Sequence, residues 1–252
     1  MKSVRRCIAP LSLIIGWECL SSYEIIPRYK LPSPVEVVVG FKYILLIGMP
    51  PGFHLHNHLI YSLYRVFIGY TAAAAIAIPL GIFMGWSTQL RELMDPIVEM
   101  VRPIPPLAWI PIAILWFGIG IKSAAFIIFL GVFFPILLNT ISGVCSIDPI
   151  LIEAARTLNA KTRDIFLKVL IPAAVPSIFV GMRIGVGIGW MTLVAAEFTG
   201  VKSGYGLGYM IMVARDVQRP AEILAGMAVI GSVGIFINKG FRFVEAKIVK
   251  WE

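Results

Sequence analysis

Long apolar runs alternate with short polar segments along this chain, and six runs account for nearly all of its hydrophobic sequence: residues 7–26, 60–86, 98–118, 123–145, 172–196 and 222–243. About 20 apolar residues in a helix cross a hydrocarbon core of about 30 Å. The pattern therefore predicts an all-α, polytopic membrane protein with about six transmembrane helices, organised as a single transmembrane domain over residues 1–252. In the second run, Tyr70-Thr71-Ala72-Ala73-Ala74-Ala75 supplies small residues that permit close helix approach. Pro32-Ser33-Pro34 opens the connection between the first two runs as an extended, helix-breaking element. Residues 35–47 then read as a short helix, too charged and brief to span, lying at the membrane interface.

The polar segment 146–171 has a pattern of its own. Asp148 or Pro149 can start a helix that runs to Leu158, with Glu153 in its N-terminal half. Asn159 stands where a left-handed C-cap is wanted, and Asn follows Gly in tolerance of that conformation. A second helix is expected from Lys161 to about Leu170, with Pro172 opening the next span. The expectation is a helix–turn–helix in water beside the membrane. The plainer reading is an amphipathic loop lying on the lipid surface.

Composition settles the solvent. Hydrophobic residues make up 58% and charged residues 14% of the chain, and the mean hydropathy is +0.87; a soluble domain carries about a quarter charged residues. The formal charge of +8 does not point to nucleic acid, because the positives gather between and beyond the apolar runs and form no basic face interleaved with aromatics. With the N-terminus inside, 12 of the 22 Lys and Arg residues fall on the cytoplasmic side and 7 on the outer side, which favours both termini in the cytoplasm and places segment 146–171 there. Lys2, Arg5 and Arg6 ahead of an apolar run resemble a signal peptide, but the run continues past Trp17 and Glu18 without an A-x-A-like site, so it is read as a retained span. Cys7, Cys19 and Cys145 have no metal-ligand spacing and no disulfide pattern.

Four further features invite a chemical reading. Pro103, Pro105, Pro106 and Pro111 each remove a backbone donor at the entry to the third run, so they either kink or break a helix near a pathway or form a turn ahead of the span. Gly181, Gly185 and Gly189, four apart, line one face of the fifth run and allow close packing. Arg183 lies 11 residues beyond Pro172, about 16 Å into the bilayer at 1.5 Å per residue. It would line a path for an anion, or pair structurally with Glu99, Glu197 or backbone carbonyls. His54, His56 and His58 alternate, but no acidic or cysteine partner accompanies them, and no metal site is assigned.

Glu153-Ala154-Ala155, Asn159, Val169 and Ile171-Pro172 resemble the EAA motif of ABC importer permeases, with Asn159 where the family usually has Gly. Leu31-Pro32-Ser33-Pro34, the stretch from Arg102-Pro103 through Ile110-Pro111, Trp116-Phe117-Gly118-Ile119-Gly120, Gly181-Met182-Arg183-Ile184-Gly185 and Ser203-Gly204-Tyr205-Gly206-Leu207-Gly208 resemble the sulfonate, taurine and nitrate branch of that family. The resemblance covers residues 30–245 or so. It implies a type I importer permease fold in the inner membrane. Residues 151–161, with Glu153, Ala154, Ala155, Arg156, Asn159 and Lys161, would form a coupling helix docking into an ATPase subunit. It also implies two cytoplasmic ATP-binding subunits that hold the ATP and Mg, a second permease copy, identical in the simplest case, and an extracytoplasmic solute-binding protein meeting the turn at 203–208. The cargo would be a small anion such as a sulfonate, taurine, nitrate or bicarbonate.

The chain itself carries no catalytic motif. G-x-x-x-x-G-K-[ST] does not occur, since Gly200-Val201-Lys202-Ser203 lacks the glycine before lysine; H-E-x-x-H and G-x-S-x-G are absent too. ATP-driven work needs a partner, and no cofactor is expected in this chain. Two alternatives stay open: a permease of the same family for a vitamin or pyrimidine-type precursor, and, from a different class, a stand-alone channel or membrane enzyme.

Overall fold

The computed structural model describes residues 2–198 and 204–248, with side chains from residue 11 onward. Lys202, Ser203 and Lys250, used above for topology and for the glycine-rich turn, lie outside the described residues. Every regular element among the described residues is helical: α1 (Lys2–Ser22), α2 (Pro34–Leu46), α3 (Leu55–Trp86), α4 (Thr88–Val101), a 3-10 turn (Pro106–Trp109), α5 (Ile110–Phe117), α6 (Ile121–Cys145), α7 (Pro149–Thr157), α8 (Thr162–Ile165) with a π turn (Phe166–Leu170), α9 (Ile171–Phe198), α10 (Leu207–Asp216) and α11 (Pro220–Ile248).

Among the described residues, four helices are long and apolar enough to cross a membrane: Leu55–Trp86, Ile121–Cys145, Thr162–Phe198 and Pro220–Ile248. The third apolar run differs from its expected form. It is not one straight helix over 98–118: α4 ends at Val101, the chain bends by 81°, and Pro106–Phe117 continues in a new direction. The prolines explain it: Pro103 and Pro105 deny the backbone two donors, and Pro105 itself adopts an extended conformation. Pro111 does no such damage, because it sits in the first turn of α5, where an N–H has no intrahelical partner anyway. The first run also ends early, at Ser22 rather than 26, with Glu24 in the left-handed region at φ +52°.

The chain's contacts group into two compact units. One comprises residues 1–62 and 200–233, the other residues 63–199 and 234–252. In the first, Ser33 caps α2 in a capping box with Glu36. Trp17 Nε1 donates to the Pro32 carbonyl at 2.9 Å and Ser21 Oγ to that of Leu31 at 3.1 Å, tying α1 to the extended entry of α2. The start of α10 is capped from α3: the Gly206 N–H donates to His58 Nδ1 and the Leu207 N–H to Ser62 Oγ, each at 2.9 Å. His58 and Ser62 are one helical turn apart, which is why both reach the same helix end. Tyr205 packs among Phe53, His58 and Tyr61. His58 is therefore a buried structural residue, whereas His54 and His56 stack on each other at 5.7 Å.

The second unit is built around α6. In lipid no hydrophobic effect drives helices together, so association depends on close packing. Gly69, Gly81 and Gly85 of α3 meet Ile128, Thr140 and Val144 of α6, with the fully buried Ala73 and Ala77 on the same four-residue repeat. Gly181, Gly185 and Gly189 of α9 meet Asn139, Val132 and again Val132 of α6. Two stripes of small residues thus grip one helix. A Cβ at Gly181 would stand 2.8 Å from Asn139 Cβ and 3.0 Å from the Pro135 carbonyl oxygen, whereas one at Gly187 meets open space. Gly181→Ala should accordingly cost about 1–3 kcal/mol of stability and Gly187→Ala almost nothing. Thermal unfolding of the purified protein in detergent checks this, and equal midpoints for the two variants would refute the packing assignment.

Candidate functional site

The polar hairpin between α6 and α9 forms where the sequence placed it. The Asp148 side chain caps α7 by accepting from the Ile150 N–H at 2.9 Å, and Pro149 occupies the first turn. The helix closes in a Schellman motif. Asn159 takes φ +58°, its N–H donates to the Arg156 carbonyl at 2.9 Å, and the Ala160 N–H reaches back to Ala155 at 3.0 Å. The Ala155 and Arg156 carbonyls are thus the acceptors that end the helix. Lys161 returns to an extended conformation and starts the next helix.

This geometry has a mutational signature. A β-branched residue at φ +58° is strongly disfavoured, while Gly is at ease there. Asn159→Ile should open the turn and lower transport; Asn159→Gly should preserve it. Uptake assays on both variants distinguish a demand for conformation from a demand for the amide side chain, because the latter predicts that both fail.

Beyond the turn, the chain departs from expectation in one respect. Pro172 does not open a new span: helix continues from Thr162 to Phe198, over 37 residues. A π turn at Phe166–Leu170 makes this possible, with the Ile171 N–H donating five residues back to Phe166. The wider spacing admits the Pro172 ring, which would otherwise crowd the preceding turn. Buried Ile165 and Leu170 root the hairpin in the second unit, where Phe166 contacts Phe83 and Trp86. None of the residues of α7 is buried. Ile150, Leu151 and Leu158 are 68%, 52% and 83% exposed, and Leu151, Ala154 and Leu158 fall on one face by their spacing. Glu153 and Arg156 flank that face and are exposed as well. A short helix with an unpartnered apolar face stands at the end of a helix about 55 Å long.

Arg183 is ion-paired, but with Glu245 of α11 at 2.9 Å rather than with Glu99 or Glu197. Glu245 lies in the charged final turns of α11 beside Arg242 and Lys247. The helix that carries Arg183 begins at Thr162, well before Pro172, and Arg183 pairs near the polar end of α11. Glu197 instead receives Arg65 at 2.6 Å, with side chains 0% and 1% exposed. This pair between α3 and α9 escaped the sequence reading. Its signal was two opposite charges inside apolar runs, an arrangement membranes tolerate when the charges are matched.

A cleft of about 450 Å³ opens between the 3-10 turn, α6 and α9. Arg102, at the bend, and Asn139, mid-helix, are its polar members; Pro106 and Trp109 form one wall and Ile184 and Ile188 another. The prolines at 103 and 105 place Arg102 there by ending α4. Among the described residues no group of three His, Cys, Asp or Glu side chains is arranged to hold a metal ion.

Comparison with known proteins agrees with this architecture. Residues 77–250 match the family model described as binding-protein-dependent transport system inner membrane component. A putative ABC transporter permease protein of Methanocaldococcus jannaschii is 45% identical over 96% of this chain and 90% of its own length. The taurine transport system permease protein of Escherichia coli K12 is 37% identical over 95% and 86%. The nitrate import permease protein of Synechocystis is 35% identical over 100% and 91%. The fold resembles that of the MetNI methionine ABC transporter in its inward-facing conformations, with a TM-score of 0.62 at 20% identity, covering 77% of this chain and 94% of that one. An all-helical membrane chain with a projecting polar hairpin, matched along nearly its full length by such relatives, belongs to the binding-protein-dependent inner membrane component family: it is a permease subunit of an ABC importer.

Proposed function

We propose that this permease imports a small anion and is driven through α7 by two ATP-binding subunits on the cytoplasmic side. The observation that carries the coupling assignment is mechanical. The exposed apolar face of α7 is joined through a Schellman turn to a helix that runs unbroken from Thr162 to Phe198. When the ATPase pair closes on ATP and Mg, a displacement of α7 is passed as a rigid-body movement to α9 and switches access from one side of the membrane to the other. Leu151, Ala154 and Leu158 would seat in the ATPase groove, with Glu153, Arg156 and Lys161 setting orientation at its rim. Asn159 holds the turn.

Several further points support this reading. With the topology read from the sequence, 12 of the 22 Lys and Arg residues share the hairpin's side, which favours both termini in the cytoplasm. A second copy of the permease completes the path against the face of α9 where Ile184 and Met191 are exposed and Gly187 has open space. A solute-binding protein delivers cargo at the opposite side, near Gly204–Gly208. The taurine and nitrate permeases among its relatives favour an oxyanion-bearing cargo over a vitamin or pyrimidine precursor.

The test is co-purification from native membranes in mild detergent. An ATPase subunit should accompany the wild-type chain and be lost from Glu153→Lys, with insertion unchanged. Recovery of no ATPase with the wild type would overturn the reading in favour of a stand-alone channel.

A further inference from the structure

The cleft at the bend carries a prediction about which anions pass. Arg65 and Arg183 each have a carboxylate partner, at 2.6 and 2.9 Å. Arg102 has none within 4.0 Å among the described residues, is exposed, and faces a cleft with no acidic residue in its lining. Such a guanidinium presents a fork of donors suited to an oxyanion. Asn139 spends one amide hydrogen on the Pro135 carbonyl at 2.8 Å and has a second. The Trp109 indole adds an N–H donor to the same lining. The remaining walls are apolar, among them Leu130, Phe134, Leu138, Ile184 and Ile188.

Resting on the anion-importer reading, we infer that this cleft is a transient binding site for an organic anion: the oxyanion head meets Arg102, Asn139 and Trp109, while an aliphatic body lies on Ile184, Ile188 and Phe134. A bare inorganic oxyanion satisfies the polar end alone and leaves most of a cavity of about 450 Å³ unfilled. An alkyl sulfonate also buries methylene groups, each favourable on transfer from water. The site therefore prefers alkyl sulfonates to nitrate, and the preference rises with chain length until the cleft is full.

The experiment is calorimetric titration of the purified permease–ATPase complex, without binding protein, with methanesulfonate, butanesulfonate and nitrate. The expected result is saturable butanesulfonate binding that is at least about 10-fold tighter than nitrate binding, with methanesulfonate between them. Arg102→Gln should weaken butanesulfonate by about 10- to 100-fold, as loss of a charge-assisted hydrogen bond implies, and Arg102→Lys should recover part of it. Ile188→Ala should narrow the gap between butanesulfonate and methanesulfonate. Equal affinity for nitrate and butanesulfonate, or binding indifferent to Arg102, would overturn the inference. So would the absence of saturable binding in a complex that retains its ATPase, and that outcome would leave the importer reading intact. Failure of the wild-type complex to assemble would instead strike at the importer reading itself.

Discussion

Arg65→Ala and Glu197→Ala should each destabilise the permease by about 3–5 kcal/mol, because each takes away the ion-pair partner of a charge buried almost completely from water. The pair is 2.6 Å apart and almost completely buried, and it joins α3 to α9 across the small-residue packing on α6. Burial of two charges costs a great deal of solvation, so the pair adds little net stability over an apolar replacement of similar size. What it does impose is a penalty on every arrangement in which α3 and α9 slide or rotate out of register. The expected pattern is therefore non-additive: the double variant Arg65→Met with Glu197→Leu should be far less damaged than either single variant. Unfolding midpoints and yields of monodisperse protein in detergent would test it. Additive losses would mean that the two residues act independently.

Leu158→Asp should abolish ATP-driven uptake while leaving the membrane helices folded. Leu158 is 83% exposed, directly before the turn residue Asn159, so its replacement disturbs no internal packing. In a hydrophobic groove of a partner, a buried carboxylate costs several kcal/mol, equivalent to a loss of about 1,000-fold or more in docking. Glu153→Lys reverses a charge at the rim and should be comparably damaging where it faces a partner cation. Transport in reconstituted vesicles and stimulation of ATP hydrolysis by loaded binding protein measure the coupling directly. Normal stimulation in Leu158→Asp would move the docking surface elsewhere on the hairpin, with Ile150 and Leu151 the next candidates.

Much of this protein is legible in one dimension because membrane helices are governed by local demands. A backbone in hydrocarbon must satisfy its own hydrogen bonds, so long apolar runs become helices wherever they occur. The long apolar helices follow from that rule, and the short helix Pro34–Leu46 forms where the sequence predicts one. Caps are equally local: Ser33, Asp148 and Asn159 each act on backbone groups within a few residues. The EAA-like hairpin was readable for the same reason.

The rest depended on which residues meet across long separations. The 81° bend at 102–105 could be anticipated as a break but not as a direction, since prolines remove donors without choosing where the chain goes next. The π turn before Pro172 reconciled a proline with a continuous helix, which no propensity argument foresees. Charge pairing was the clearest case. Sequence supplied Arg65, Arg183, Glu197 and Glu245 as residues in or beside apolar runs, and only packing decided that Arg65 takes Glu197 and Arg183 takes Glu245. Arg102 was thereby left as the cation facing the cleft. Composition and periodicity alone determined that this chain is a helical membrane protein with a polar hairpin, because those are properties of short segments and their solvent. The tertiary structure decided which charges are paired with one another and which line a cleft, because electrostatic matching is a property of distance in space.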